Sequence, residues 1–158
     1  MNSIKLILGL VFVGIAAISC TVNSHKEEIK KTQIPIVGTW KLISGITIEK
    51  GDTVVTDYSG KISFIKIIND THFAFLKHDV NKGKDSAAQY GSGGGRYSLV
   101  DSLYTEHLEY CTGREWEGND FSFTVTIKND TLTQSGIEKI ESAGINRINI
   151  EKYYRLKN

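Results

Sequence analysis

Short runs of β-branched and aromatic residues, separated by turn residues, fill most of the chain after residue 36. The alternation is clearest at Phe121, Phe123 and Val125, whose neighbours Ser122 and Thr124 are polar, as in a strand with one buried face. Asn, Asp and Gly stand between the runs, where turns need them. The pattern predicts strands at residues 37–49, 53–57, 61–68, 72–78, 96–100, 103–110, 120–128, 131–138 and 149–156.

So many short antiparallel strands favour a closed β-barrel, because closure removes the exposed edges of an open sheet. A β-sandwich is the structural alternative. One run breaks the alternation: Ile62 and Phe64 share one face, whereas Ile65 and Ile67 share the other. This change of phase predicts a β-bulge within residues 61–68. The Gly-rich stretch 91–95 matches no phosphate-binding motif, and we interpret it as flexible or as a hairpin bend.

The N-terminus has the pattern of an export signal. An uninterrupted apolar run at residues 6–18 follows Lys5 and ends in Ala17-Ile18-Ser19-Cys20. It is shorter than the roughly 20 residues of a membrane-spanning helix and fits the apolar core of a signal peptide. The alternatives are a plain secretory signal with an incidental cysteine, or an N-terminal membrane helix.

A cysteine directly after small residues resembles the lipobox of bacterial lipoproteins. The resemblance implies that residues 1–19 are removed and that Cys20 carries lipid. The protein would then be held on a membrane of the bacterial envelope, on its periplasmic or surface face. Residues 20–35 are expected to form the lipidated cysteine and a polar tether, and residues 36–158 the barrel.

Charge and cysteine content narrow the partners. The formal net charge is +1, which argues against nucleic acid as a partner. If Cys20 is lipidated, Cys111 has no partner within the chain. Cys111 is then a buried thiol, a site for an intermolecular disulfide, or a reactive thiol.

Two motifs at opposite ends of the predicted barrel belong together. Gly38 and Trp40 resemble the Gly-x-Trp signature of lipocalins and fatty-acid-binding proteins, and Arg155 resembles the arginine of their last strand. Residues 93–99 and 104–110 resemble small bacterial lipocalin-like domains of unknown function, which are often lipid-anchored. The resemblance implies an up-and-down barrel of about eight to ten strands. It also implies that Arg155 stacks on Trp40 and closes one end. Residues 44–57 have a strand-and-turn pattern in place of the helical lid of fatty-acid-binding proteins.

The interior of such a barrel is the expected ligand site. Tyr104, Glu106, Leu108 and Tyr110 form the more apolar face of their strand, so we expect this face to point inwards. A buried Glu106 needs a partner, for which Arg96 and Arg114 are candidates, or it anchors the polar group of a ligand. Trp116 gates the mouth or packs on the rim. The predicted ligand-binding residues are Arg96, Tyr97, Tyr104, Glu106, Tyr110 and Trp116.

Signs of catalysis are few. The four His are scattered and no Gly-x-Ser-x-Gly motif is present, so the pattern indicates no catalytic residues, metal or cofactor. The sequence favours a monomeric, membrane-anchored protein that binds a small, mostly apolar ligand. The alternative is a solid barrel that serves as an interaction or structural module of the envelope, and a hydrolase or isomerase is a weaker alternative.

Overall fold

The computed structural model describes residues 34–157, so the predicted signal peptide and Cys20 lie outside the described residues. Two single-turn 3₁₀ helices (Arg114–Trp116 and Glu141–Ala143) interrupt an otherwise all-β chain. No helix within residues 34–157 is long and apolar enough to cross a membrane. The strands are β1 (Gly38–Glu49), β2 (Asp52–Asp57), β3 (Ile62–Ile68), β4 (His72–Asp79), β5 (Tyr90–Val100), β6 (Leu103–Cys111), β7 (Asn119–Lys128), β8 (Thr131–Ile140) and β9 (Ile145–Arg155).

The strands form a closed antiparallel barrel. From β3 to β9 each strand pairs with the next in sequence, and β9 returns to pair with β1. This ring contains eight strands, and β2 is an additional strand. β1 pairs with β3 through residues 38–41 and with β2 through residues 44–49, so β2 lies beyond the start of β3. The predicted up-and-down barrel is therefore confirmed.

The two ends of the barrel differ in their connections. At one end, which we call the closed end, the links β3–β4, β5–β6 and β7–β8 are tight turns. Asp101, Asn129 and Asp130 adopt positive φ angles there, which short polar residues tolerate better than β-branched ones. At the other end, the mouth end, residues 80–89, 112–118 and 141–144 form longer links.

Trp40 and Arg155 seal the closed end as the sequence predicts. The Trp40 side chain is fully buried, and the Arg155 guanidinium carbon lies 4.1 Å from the centre of its ring. Arg155 donates hydrogen bonds to the carbonyls of Val37 (2.7 Å) and Pro35 (2.6 Å). Gly38 has a φ angle of +149°, and a Cβ there would collide with Arg155 Nη1. Glycine is required at this position because both the backbone and the arginine exclude a side chain.

The Gly-rich stretch belongs to strand β5 and is neither a flexible loop nor a hairpin bend. A Cβ on Gly94 would clash with the backbone of Phe73 and Ala74 in β4, and one on Gly95 with the backbone of His107 in β6. The glycines therefore let three strands crowd together, which is a role that sequence alone does not separate from a turn.

The bulge predicted within residues 61–68 is wrong. β3 pairs with β4 in continuous register from Ile62 to Ile68. Regular alternation turns Lys66 inwards, where it is 2% exposed, and leaves Ile67 42% exposed outside. The isoleucines suggested the opposite orientation, because a lysine between apolar residues is expected to face water.

Candidate functional site

A cavity of about 520 Å³ occupies the mouth half of the barrel. Its wall includes Gly91 and Lys77, a cross-strand pair of β4 and β5, and Gly113 in the β6–β7 link. Tyr90, which also lines the cavity, is 70% exposed, so the cavity reaches the protein surface at this rim. Its size is within the range of sites that hold small molecules.

Aromatic rings form one wall. Phe64 of β3 stacks on Phe75 of β4 with a centroid distance of 5.5 Å. The rings of Tyr58 and Tyr153 meet Phe64 edge-on at 6.0 and 6.4 Å. All four side chains line the cavity. They offer ring faces and edges to an apolar part of a ligand.

An ion pair lies deeper, between the cavity and the apolar core. Lys66 Nζ is 2.6 Å from Glu106 Oε1, and the two side chains are 3% and 10% exposed. The same ammonium lies 5.3 Å from the ring centre of Tyr153 and 5.9 Å from those of Phe73 and Tyr104. Buried charges are costly unless they are paired and hydrogen-bonded, and here each charge has the other as its partner.

The pair continues into a chain of hydrogen bonds. Lys66 donates to Gln134 Oε1 at 3.0 Å, and Gln134 Nε2 donates to Glu151 Oε2 at 2.8 Å. The Tyr153 hydroxyl donates to the same Glu151 oxygen at 2.6 Å. Side chains of β3, β6, β8 and β9 thus form one polar layer, consisting of Lys66, Glu106, Gln134 and Glu151.

A second charged group lies nearer the mouth. Arg147 Nε is 2.6 Å from Glu138 Oε2, and Asn149 donates to Glu138 Oε1 at 2.8 Å. The Arg147 guanidinium also lies 5.1 Å from the ring centre of Trp116, whose indole packs on Phe121 at 5.7 Å. Trp116 is therefore part of the cavity wall, with neighbours on both sides.

Burial shifts the ionisation of the polar layer. It raises the pKa of Glu106 above its usual range, although the Lys66 charge opposes the shift. Burial, and then the negative charge of Glu106, raise the pKa of Tyr104, whose hydroxyl has no hydrogen-bond partner of standard geometry within residues 34–157. Burial and the charge of Glu151 raise the pKa of Tyr153. Both tyrosines consequently keep their protons at neutral pH and can only act as neutral hydroxyls.

The structure brings only some of the predicted ligand-binding residues together. Glu106 and Trp116 line the cavity, and Tyr104 is buried close to the Lys66 ammonium. Arg96 lies on the outer surface, where its 71% exposed side chain pairs with Glu109 at 2.7 Å. The Tyr97 hydroxyl donates to the carbonyl of Asn69, in the β3–β4 turn of the closed end.

The expected inward orientation of Tyr110 is wrong. Gly94 pairs with Tyr110 but Gly95 pairs with Leu108, so Glu109 is an extra residue in β6. This β-bulge reverses the alternation, which leaves Tyr110 69% exposed and turns Cys111 towards the cavity. A bulge is set by the pairing partner, and the alternation within residues 103–110 gives no sign of it.

The expected partners of Glu106 are also wrong. Arg96 pairs with Glu109 and Arg114 pairs with Glu117, whereas Glu106 pairs with Lys66. Sequence analysis missed Lys66, Gln134, Glu138, Arg147 and Glu151. Strict alternation from Phe64 to Ile68 was the signal that could have identified Lys66 as inward-facing.

Cys111 is a partly buried free thiol that lines the cavity. Its backbone N–H donates to Glu117 Oε1 at 2.8 Å. Burial, together with the negative charges of Glu117 and Glu115, raises the pKa of the thiol. Since the thiolate is the reactive form, this environment makes Cys111 a poor nucleophile.

The fold defines the class of this protein: its ring of eight antiparallel strands is consistent with a lipocalin-like barrel. No protein-family model and no curated protein matches the chain. Among solved structures, it is similar to an uncharacterized protein from Bacteroides eggerthii at 13% identity. The match has a TM-score of 0.45 and covers 76% of this chain and 98% of the other.

Proposed function

We propose that this protein is a membrane-anchored, lipocalin-like protein that binds a small amphipathic molecule in the mouth-end cavity. The observation that carries the proposal is the composition of the roughly 520 Å³ cavity, in which aromatic rings face buried charged and hydrogen-bonded groups. A barrel selected for stability alone would replace such groups with apolar ones, because a buried ion pair adds little net stability. A solid structural barrel is accordingly the less well supported alternative.

The polar layer refines the kind of ligand. The sequence favours a mostly apolar molecule, but Lys66, Glu106 and Glu151 supply charged groups beside the aromatic wall. A ligand that is apolar throughout would cover these groups without satisfying them, which costs free energy. We therefore infer a ligand with an apolar body and at least one polar group.

Gly91 provides a direct test of binding. It lies opposite Lys77 on the inward face of β5, and a Cβ at Gly91 would meet no atom within 4 Å. Gly91→Phe should therefore fill the cavity without disturbing the strands. We expect the neutral fluorescent probe N-phenyl-1-naphthylamine to bind the wild-type protein and to bind Gly91→Phe at least about tenfold more weakly, because one filled contact site is worth over a kcal/mol.

Gly60→Phe is the matched control, because Gly60 is exposed, away from the cavity, and also has open space around its Cβ. This control should bind the probe like the wild-type protein. Equal binding by the wild-type protein and Gly91→Phe would contradict a site inside the barrel.

The anchoring part of the proposal rests on the apolar run and on the cysteine at position 20. Cys20→Ala should lack the acyl mass and move from the membrane to the soluble fraction, because no lipid would then hold the domain. Cys111→Ala, which removes the other cysteine, should keep both the acyl mass and the membrane location. Membrane retention of Cys20→Ala with an unchanged mass shift would contradict lipidation at this residue.

A further inference from the structure

Three carboxylates line the cavity, and they differ in their partners. Glu106 has an ion pair with Lys66, and Glu138 has one with Arg147, each at 2.6 Å. Glu151 has no ion pair with any residue between 34 and 157 and receives hydrogen bonds from neutral groups, Gln134 and Tyr153, on Oε2. Its other oxygen accepts no hydrogen bond from the described residues. The cavity therefore contains one carboxylate whose charge nothing in residues 34–157 neutralises by contact.

The surroundings of Glu151 suit a cation. Tyr153 donates to it directly, and Phe64 and Tyr58 line the same part of the cavity. After burial, the Glu151 charge is the largest contribution that raises the pKa of Tyr58, so its field reaches the aromatic wall. An ammonium group in such a place gains from the carboxylate and from the electron-rich ring faces.

The protein already shows this arrangement one layer deeper. The Lys66 ammonium contacts the Glu106 carboxylate and lies within 6 Å of three ring centres. The two cations that could attract an anionic ligand, Lys66 and Arg147, are each neutralised by their own glutamate. Lys77 remains near the mouth, where it is partly exposed to solvent. The interior is thus better suited to a positive than to a negative group.

We propose that the ligand carries a protonated amine on an apolar body. The ammonium binds at the open oxygen of Glu151, and the body lies against Phe64, Phe75 and Trp116. This inference rests on the proposed function and deepens it by naming the chemical class of the ligand.

Three probes of equal chain length test the charge preference: octylamine, 1-octanol and octanoate. Each is titrated against bound N-phenyl-1-naphthylamine at pH 7 in the wild-type protein. We expect octylamine to bind about tenfold more tightly than 1-octanol, and octanoate to bind more weakly than both, because the charges of Glu151 and octanoate repel each other. In Glu151→Gln, octylamine should fall to within about twofold of 1-octanol, since only the charge is lost.

Glu109→Gln is the matched control, because Glu109 pairs with Arg96 on the outer surface. It should keep the full preference for octylamine. Binding of 1-octanol or octanoate as tight as that of octylamine in the wild-type protein would overturn the amine proposal while ligand binding stands, and this ranking needs no variant. An amine preference that persists in Glu151→Gln, or that disappears in Glu109→Gln, would also overturn it. Absence of all binding, including that of the naphthylamine probe, would overturn the proposed function itself.

Discussion

The closed end and the mouth end of the barrel are built from the same strands but hold different interiors. In β9 the inward face runs from the fully buried Tyr153 through Glu151 and Asn149 to Arg147. In β3 it runs from Ile68 through Lys66 to the cavity wall. The closed end thus resembles an ordinary protein core, whereas the mouth end places charge around an open space. Stability and binding are separated along the barrel axis, because charges that add little stability are tolerated where they serve a ligand.

The largest expected effect tests the structural role of the closed end. Trp40→Ala removes a fully buried indole together with the Arg155 stack, and it should lower the free energy of unfolding by about 4 kcal/mol. Trp116→Ala, at the partly buried wall of the mouth end, should cost only about 1–2 kcal/mol. Urea denaturation of both variants measures the difference, and equal losses would contradict the proposed division of roles.

A second variant tests the boundary between the two ends. Lys66→Met leaves Glu106 buried without its cation, which should cost about 3 kcal/mol at neutral pH. Because burial raises the pKa of Glu106 in the folded state, the carboxyl group favours folding in its protonated form. The loss should therefore be small at acidic pH and grow as the pH rises through the pKa of the folded state.

The double variant Lys66→Met/Glu106→Gln is the control for this pH dependence. It has no buried carboxylate at position 106, so its stability should not fall further as the pH rises. Unfolding curves between acidic and slightly alkaline pH compare the two variants. A loss in Lys66→Met that is the same at every pH would show that the ion pair does not control the ionisation of Glu106.

The smallest expected effect compares a glycine from each end. Gly38→Ala meets a positive φ angle and the Arg155 guanidinium, and should cost about 2 kcal/mol. Gly91→Ala points into open space and should change stability by less than about 0.5 kcal/mol. Thermal unfolding of the pair measures this. A costly Gly91→Ala would mean that the mouth end is packed as tightly as the closed end.

The sequence predicts the fold better than it predicts the site. Alternation and turn residues are local, and they place all the strands within a few residues, apart from the early start of β5 at Tyr90 and of β9 at Ile145. The Trp40–Arg155 stack follows from a motif. The cavity depends on pairing between distant strands: the bulge at Glu109 turns Tyr110 outwards, and the register of β3 turns Lys66 inwards. Such long-range choices leave little trace in any single run of residues.

Native mass spectrometry of the protein purified from its own membranes tests the central claim most directly. The wild-type protein should carry a small molecule that Gly91→Phe lacks and Gly60→Phe retains, since only the first variant fills the cavity. Loss of the bound mass on gentle activation would give the ligand's own mass and charge sign. An identical bound mass in the wild-type protein and Gly91→Phe would place the molecule outside the barrel, and an empty wild-type protein would contradict the account.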